Sequence, residues 1–224
     1  MRVIPKKTSR VTETIKNHIA ENLKAYIMVS IILLIGITLG VIFVNNMSEA
    51  QTQDIQTYIQ SFIGALKDGK SVNSGELLKK SLGNNLLLVF LMWFVGSTVI
   101  GIPVVLGIVA FRGFCLGYTI SAVIKIWGTG KGMLFFATSM LLQNLIVIPC
   151  IIALAVSGIK LYKSIMKDKR RENIKIEIIR HTIFSLAMLA ILAISSIIET
   201  YLSANLLVLC KSCLLYTSDA ADEL

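Results

Sequence analysis

The side chains that could do chemistry are few, and most stand in apolar surroundings. Arg112 lies in AFRGFCLGYT (110–119), between two phenylalanines and beside Gly113. Gln143 and Asn144 are adjacent amides opening QNLIVIP (143–149), and Glu199 is the acid of ETYLS (199–203). Inside a membrane a charged group costs about 2.5–3.5 kcal/mol on insertion scales, so such groups mark a pairing site, a polar path or an anchor at the headgroups. Catalytic constellations do not assemble. The two histidines, His18 and His181, are far apart and expected at membrane edges, and no HExxH is present. GTGKG (128–132) misses the phosphate-loop pattern, because Lys125 stands where the first glycine belongs and Gly132 replaces the hydroxyl residue. It reads as a tight loop. Cys115 and Cys150 lie in apolar runs, as small hydrophobes do. No catalytic residue, cofactor or metal is expected.

The elements that must position these groups are membrane spans. The chain has 224 residues, 55% apolar and 16% charged, with mean hydropathy +0.76. Globular chains are about a quarter charged. The net charge of +9 is concentrated beside apolar runs, as in cytoplasmic loops. Nucleic-acid binding, which uses basic residues interleaved with aromatics, is not expected; the lipid bilayer is the expected surrounding. No cleavable signal is read, since about 25 polar and basic residues precede an apolar run of span length.

Residues 1–25 hold six basic residues, with Val11, Ile15, Ile19 and Leu23 at i+4 spacing. This predicts a cytoplasmic interfacial helix. The first span is expected at 26–44, about 28 Å long, and carries Gly36 and Gly40 as a GxxxG packing pair. The polar segment 45–83 has four acids and four bases. Ser48 to Gln51 reads as a capping box, and Ile55, Tyr58, Ile59, Phe62, Ile63 and Leu66 fall on one helical face that ends near Gly69. Asn73 to Glu76 reads as the cap of a short helix before the next span. The apolar region 84–127 is too long for one crossing. Division at Pro103 gives spans 84–102 and 104–124, followed by 133–157 and 182–202 within a single membrane domain, 26–212. The basic segment 158–181 then shares a side with the N-terminus, which puts 14 of 22 basic residues in the cytoplasm. The expected fold is all-α: a polytopic membrane protein of about five transmembrane helices with one extracytoplasmic amphipathic-helix loop.

In that frame Arg112 is about 12 Å deep in the third span, and Gln143 and Asn144 approach the same depth from the opposite side. Glu199 is displaced outward by about 13 Å. The expected polar cluster is therefore Arg112 with Gln143 or Asn144, and Gly113 and Gly117 allow close approach there. Snorkelling of Arg112 to the cytoplasmic edge is the alternative.

Residues 213–224 depart from the rest. CLLYTSDAADE reads as a translated sequencing adapter, and without that tail the charge is +12. Over residues 15–210 the chain resembles the stage II sporulation protein M family. The resemblance rests on VNNMS (44–48), SFIGALKDGK (61–70), GIPVVLGIVAFRGFCLGYT (101–119), QNLIVIP and ETYLS, in that order and spacing. It implies a noncatalytic scaffold in the mother-cell membrane, at the sporulation septum. There it would anchor peptidoglycan hydrolases during forespore engulfment, with stage II sporulation proteins D and P as partners. Ile55, Ile59, Phe62 and Leu66 are the candidate docking residues on the outer helix. The competing reading is a permease or channel component with a polar mid-membrane path through Arg112, Gln143 and Asn144.

Overall fold

The computed structural model describes residues 19–67, 74–98, 101–139, 141–167 and 171–219. The first eighteen residues, Asn73, and the side chains of Phe62, Leu66, Glu199 and residues 201–219 are outside what is described. The expectations for the basic N-terminal segment and for those side chains therefore fall there. Its helices are α1 (Leu23–Asn45), α2 (Glu49–Lys67), α3 (Ser74–Gly96), α4 (Gly101–Ser139), α5 (Leu141–Lys167) and α6 (Arg171–Asp219). No strand occurs among the described residues. Five stretches are long and apolar enough to cross a membrane: Leu23–Asn45, Leu78–Gly96, Gly101–Gly130, Gln143–Met166 and Ile174–Ile198.

Those bounds differ from the expected ones for identifiable reasons. The second and third spans part before Pro103, at Ser97 and Thr98. There the Ser97 hydroxyl donates to the Trp93 carbonyl (2.8 Å) and Thr98 to that of Val95 (2.7 Å). Gly101 opens α4, and a Cβ there would run into the Val95 carbonyl. Pro103 falls in the first turn of α4, where its missing N–H costs no helical bond. Ser74 to Gly96 is one continuous helix, so no separate short helix precedes the second span. The fourth span starts later than 133, because α4 reverses at Gly128 and its returning arm runs to Ser139. The fifth lies at 174–198, earlier than expected. The basic segment 158–181 is largely helical: α5 enters it as far as Lys167 and α6 leaves it from Arg171.

At Gly128 the backbone has φ 78°, a left-handed conformation that only glycine adopts without cost. The reversal brings Gly132 back against Ile124, 2.8 Å from its Cα to a Cβ built on the glycine. Trp127 and Phe135 pack edge-to-face with centroids 5.0 Å apart.

α1 is apolar all round, so its buried stripe is set by side-chain size. Ala25, Val29, Leu33, Gly36, Gly40 and Val44 recur every three or four residues and face inward. Ile31, Leu34 and Leu39 face outward, as lipid-facing side chains do. The bundle centre is filled by Met92, Val109, Val147, Ile151, Leu154 and Leu192, all 1% exposed or less. Pro149 in α5 is exposed, so the carbonyl it frees, that of Leu145, does not disturb this packing.

Two ends of the bundle are defined by contacts. At one, Glu21 meets Lys160, Gly96 meets Gly158, and Ser157 meets His181. At the other, Lys125 Nζ donates to the Val44 carbonyl (3.0 Å), and Ser81 and Asn85 reach Ser196. The N-terminal side of α1 and the basic α5–α6 connection therefore share an end, the geometry that the charge pattern demanded.

Candidate functional site

The two glycine pairs read from the sequence meet at one junction between α1 and α4. Built Cβ atoms on Gly36 and Gly40 would strike the carbonyl oxygens of Ala110 and Phe114. Those on Gly113 and Gly117 would strike the carbonyls of Leu33 and Ile37. Numbers rise together on both helices, so α1 and α4 run parallel with backbones in contact. Parallel first and third spans follow when the second span, ended before Gly101, runs back between them. Phe43, Phe114 and Tyr118 continue this junction toward the end that holds the Lys125–Val44 contact as an aromatic cluster, with Phe43 and Phe114 centroids 5.7 Å apart.

Arg112 is next to this seam on α4, eleven residues past Gly101 and thus about 16 Å along the helix. Asn144 is buried and 4% exposed, while Arg112 and Gln143 are half-buried. The hairpin at Gly128 pairs Gly132 with Ile124, so the arm that follows Gly128 runs back along the end of α4. The returning arm of α4, through Ser139, takes up residues assigned to the start of span four.

Two polar clusters escaped sequence reading. The first lies between α3 and α6, at the end away from the Glu21–Lys160 contact. Asn85 Nδ2 donates to Ser196 Oγ at 2.8 Å, Ser81 Oγ lies 3.2 Å from the same oxygen, and Ser196 donates to the Leu192 carbonyl. Asn85 and Ser196 are both buried. Buried polar groups in lipid must find partners within the protein. A bond of this kind contributes about 0.6 kcal/mol on average in membranes.

The second cluster is at the basic end. His181, expected at a membrane edge, is instead 2% exposed. Its Nδ1 lies 2.8 Å from Ser157 Oγ, and Nε2 is against Gly96, 3.3 Å from a Cβ built there. Trp93 Nε1 donates to Thr182 Oγ1 at 3.0 Å. α3, α5 and α6 meet at this point because Gly96 and Gly158 remove two side chains from the crossing. A lone histidine in a basic segment looks like a surface residue. Its burial depends on α5 and α6 continuing as helices past the apolar run, which mean hydropathy does not report. Cys210 and Cys213 also have C-x-x-C spacing, a weak metal or redox signal that the expectation of no metal passed over. Cys213 opens the adapter-like tail.

α2 begins as read: Gln51 Oε1 accepts from the Ser48 N–H (3.1 Å), and the Gln51 N–H donates to Ser48 Oγ (3.4 Å). Along α2, Ile55 and Ile59 are half-buried, Tyr58 is 76% exposed, and the helix touches α4. A groove of about 430 Å³ opens beside its first turn, lined by Leu39, Phe43, Asn46, Met47, Gln51 and Phe114.

Five stretches long and apolar enough to cross a membrane, the parallel glycine-paired helices α1 and α4, and a short amphipathic helix outside the core define a multi-pass helical membrane protein. A family model described as Stage II sporulation protein M matches residues 29–204, and the chain belongs to that family. It is a sporulation-related membrane protein. The match ends before the adapter-like residues 213–224. No curated protein and no solved structure gives a significant match.

Proposed function

We propose that this protein is a noncatalytic membrane scaffold. It holds peptidoglycan hydrolases at the mother-cell membrane during forespore engulfment, with stage II sporulation proteins D and P as its partners. The observation that carries this reading is α2. A capped amphipathic helix stands outside the spanning core, beside an apolar groove, and presents an exposed tyrosine. An aromatic on a helix docked in a groove is a common energetic centre of an interface. In this reading the five spans fix the height and orientation of α2 at the membrane, and the partners supply the hydrolytic chemistry. The N-terminus and the basic end are cytoplasmic, so that α2 faces the wall.

Tyr58→Ala combined with Ile59→Asp is expected to lower co-purification of protein P from detergent by about thirtyfold, the weight of one central interface residue, while the thermal transition of the purified variant is retained. Undiminished recovery of protein P would refute docking through α2.

The second reading, a polar path, is favoured by the buried polar groups Asn144, His181, Ser185, Ser195 and Ser196. Leu192, fully buried between Ser185 and Ser195 on α6, belongs to an apolar core with Met92, Ile151 and Leu154. That core closes the centre of the bundle. Ion flux into liposomes holding the purified chain, well above that of empty liposomes, would favour the path over the scaffold.

A further inference from the structure

The basic end of the bundle carries a surface whose chemistry is specific. Fourteen of the 22 basic residues belong to 1–25 and 158–181, and the Glu21–Lys160 contact of 3.9 Å joins the two segments. α5 and α6 carry this charge beyond the apolar core as helices. The Ser157–His181 contact fixes their register: each residue stands as far before position 169 as the other stands after it. By the same count Lys163 of α5 stands level with Lys175 of α6, and six residues of helical rotation turn each to a different flank of the pair. Both side chains are exposed, as is Lys24 at the start of α1. Arg180 is engaged by Glu177 at 2.7 Å, so it is not part of the free charge. The acids of the segment, Asp168, Glu172 and Glu177, leave a clear positive surplus.

What surrounds the lysines decides the partner. Met166, Ile176 and Ile179 are 59%, 55% and 58% exposed, within a turn of Lys163 or Lys175. A single-stranded nucleic acid would be met by aromatics interleaved with the charge. Here charge borders aliphatic side chains, the profile of a phospholipid with an anionic headgroup above its acyl chains. We infer that this end of the bundle binds anionic phospholipid, with one headgroup phosphodiester at Lys163 and another at Lys175, the acyl chains of the second along Ile176, Ile179 and Ile183. The inference is independent of the scaffold reading and holds for whichever leaflet this end meets. Such a site would bias the protein toward regions of membrane rich in anionic lipid.

The test uses the purified full chain in nanodiscs of phosphatidylcholine mixed with phosphatidylglycerol, with retained lipids counted by native mass spectrometry. The wild-type chain is expected to retain phosphatidylglycerol in preference to phosphatidylcholine. Lys163→Gln with Lys175→Gln is expected to weaken that retention about fivefold for each lysine removed. Lys79→Gln with Lys80→Gln, two exposed charges at the opposite end, should leave it unchanged. Equal retention of the two lipids by the wild-type chain, or equal losses in the two double variants, would overturn the inference. So would saturable binding of a single-stranded oligonucleotide in phosphatidylcholine nanodiscs that the Lys163→Gln, Lys175→Gln variant loses, which would make the surface a nucleic-acid site.

Discussion

Gly36→Leu is expected to leave little monodisperse protein after detergent extraction, and Gly117→Leu to behave the same way. At both positions even a methyl group meets a backbone carbonyl of the facing helix. A flexible side chain can step aside, but a carbonyl held in a helix cannot unless the whole helix moves. Overpacking a well-fitted interior costs about 1–3 kcal/mol. Here the obstructing atoms are backbone, and four such contacts lie in one seam, so leucine separates α1 from α4 along its length. The comparison that isolates the cause is Gly107→Ala. Gly107 is on the same helix α4 with nothing within 4 Å of a built Cβ. Alanine there should be neutral or stabilising by up to about 1 kcal/mol, the helix-propensity difference. Melting temperatures of Gly36→Ala and Gly107→Ala in one detergent should therefore move in opposite directions. A parallel fall in both would mean that the glycines matter for helix flexibility and not for close packing.

Gly158→Leu is expected to have the next largest effect. Gly158 and Gly96 meet where α3 crosses α5, 3.3 Å from a Cβ built on Gly158 to the Gly96 Cα. His181 is packed against the same spot and held by Ser157. Leucine must push α3 away from α5, and that takes the Trp93–Thr182 hydrogen bond with it. The expected loss is about 1–3 kcal/mol, read as a fall of several degrees in Tm. Emission from Trp93 should shift as well, measured in a Trp127→Phe background. Ser157→Ala removes only one hydrogen bond, worth about 0.6 kcal/mol, and should leave the Trp93 emission unchanged. If Ser157→Ala proves as damaging as Gly158→Leu, the hydrogen bond and not the glycine crossing holds this end together.

The glycine result also shows what the sequence made legible. Gly36, Gly40, Gly113 and Gly117 were readable as packing residues because lipid supplies no hydrophobic force between helices, leaving small residues as the means of close approach. That the two pairs meet each other was not readable, since spacing on one helix says nothing of its partner. The number of spans followed from charge asymmetry, and α2 from its capping box and its 3.6-residue period. Span boundaries were less accurate. Proline in an apolar run reads as a divider, but in a first helical turn Pro103 breaks nothing, whereas Ser97 and Thr98 end the preceding helix by bonding to its last carbonyls. The buried pairs Asn85–Ser196 and Ser157–His181 were missed because each joins residues that are unremarkable alone. Their significance lies in where helices cross, which periodicity does not encode.

Everything proposed for α2 depends on a chain that crosses the membrane five times with its two basic segments on one side. The most direct measurement is labelling of single cysteines in intact cells with a membrane-impermeant maleimide. The cysteines are introduced at positions 10, 58, 79 and 163 of a variant in which the native cysteines are replaced. The account predicts labelling at 58 and 79 and protection at 10 and 163 until the membrane is opened. Labelling at 163 with protection at 10 would contradict it.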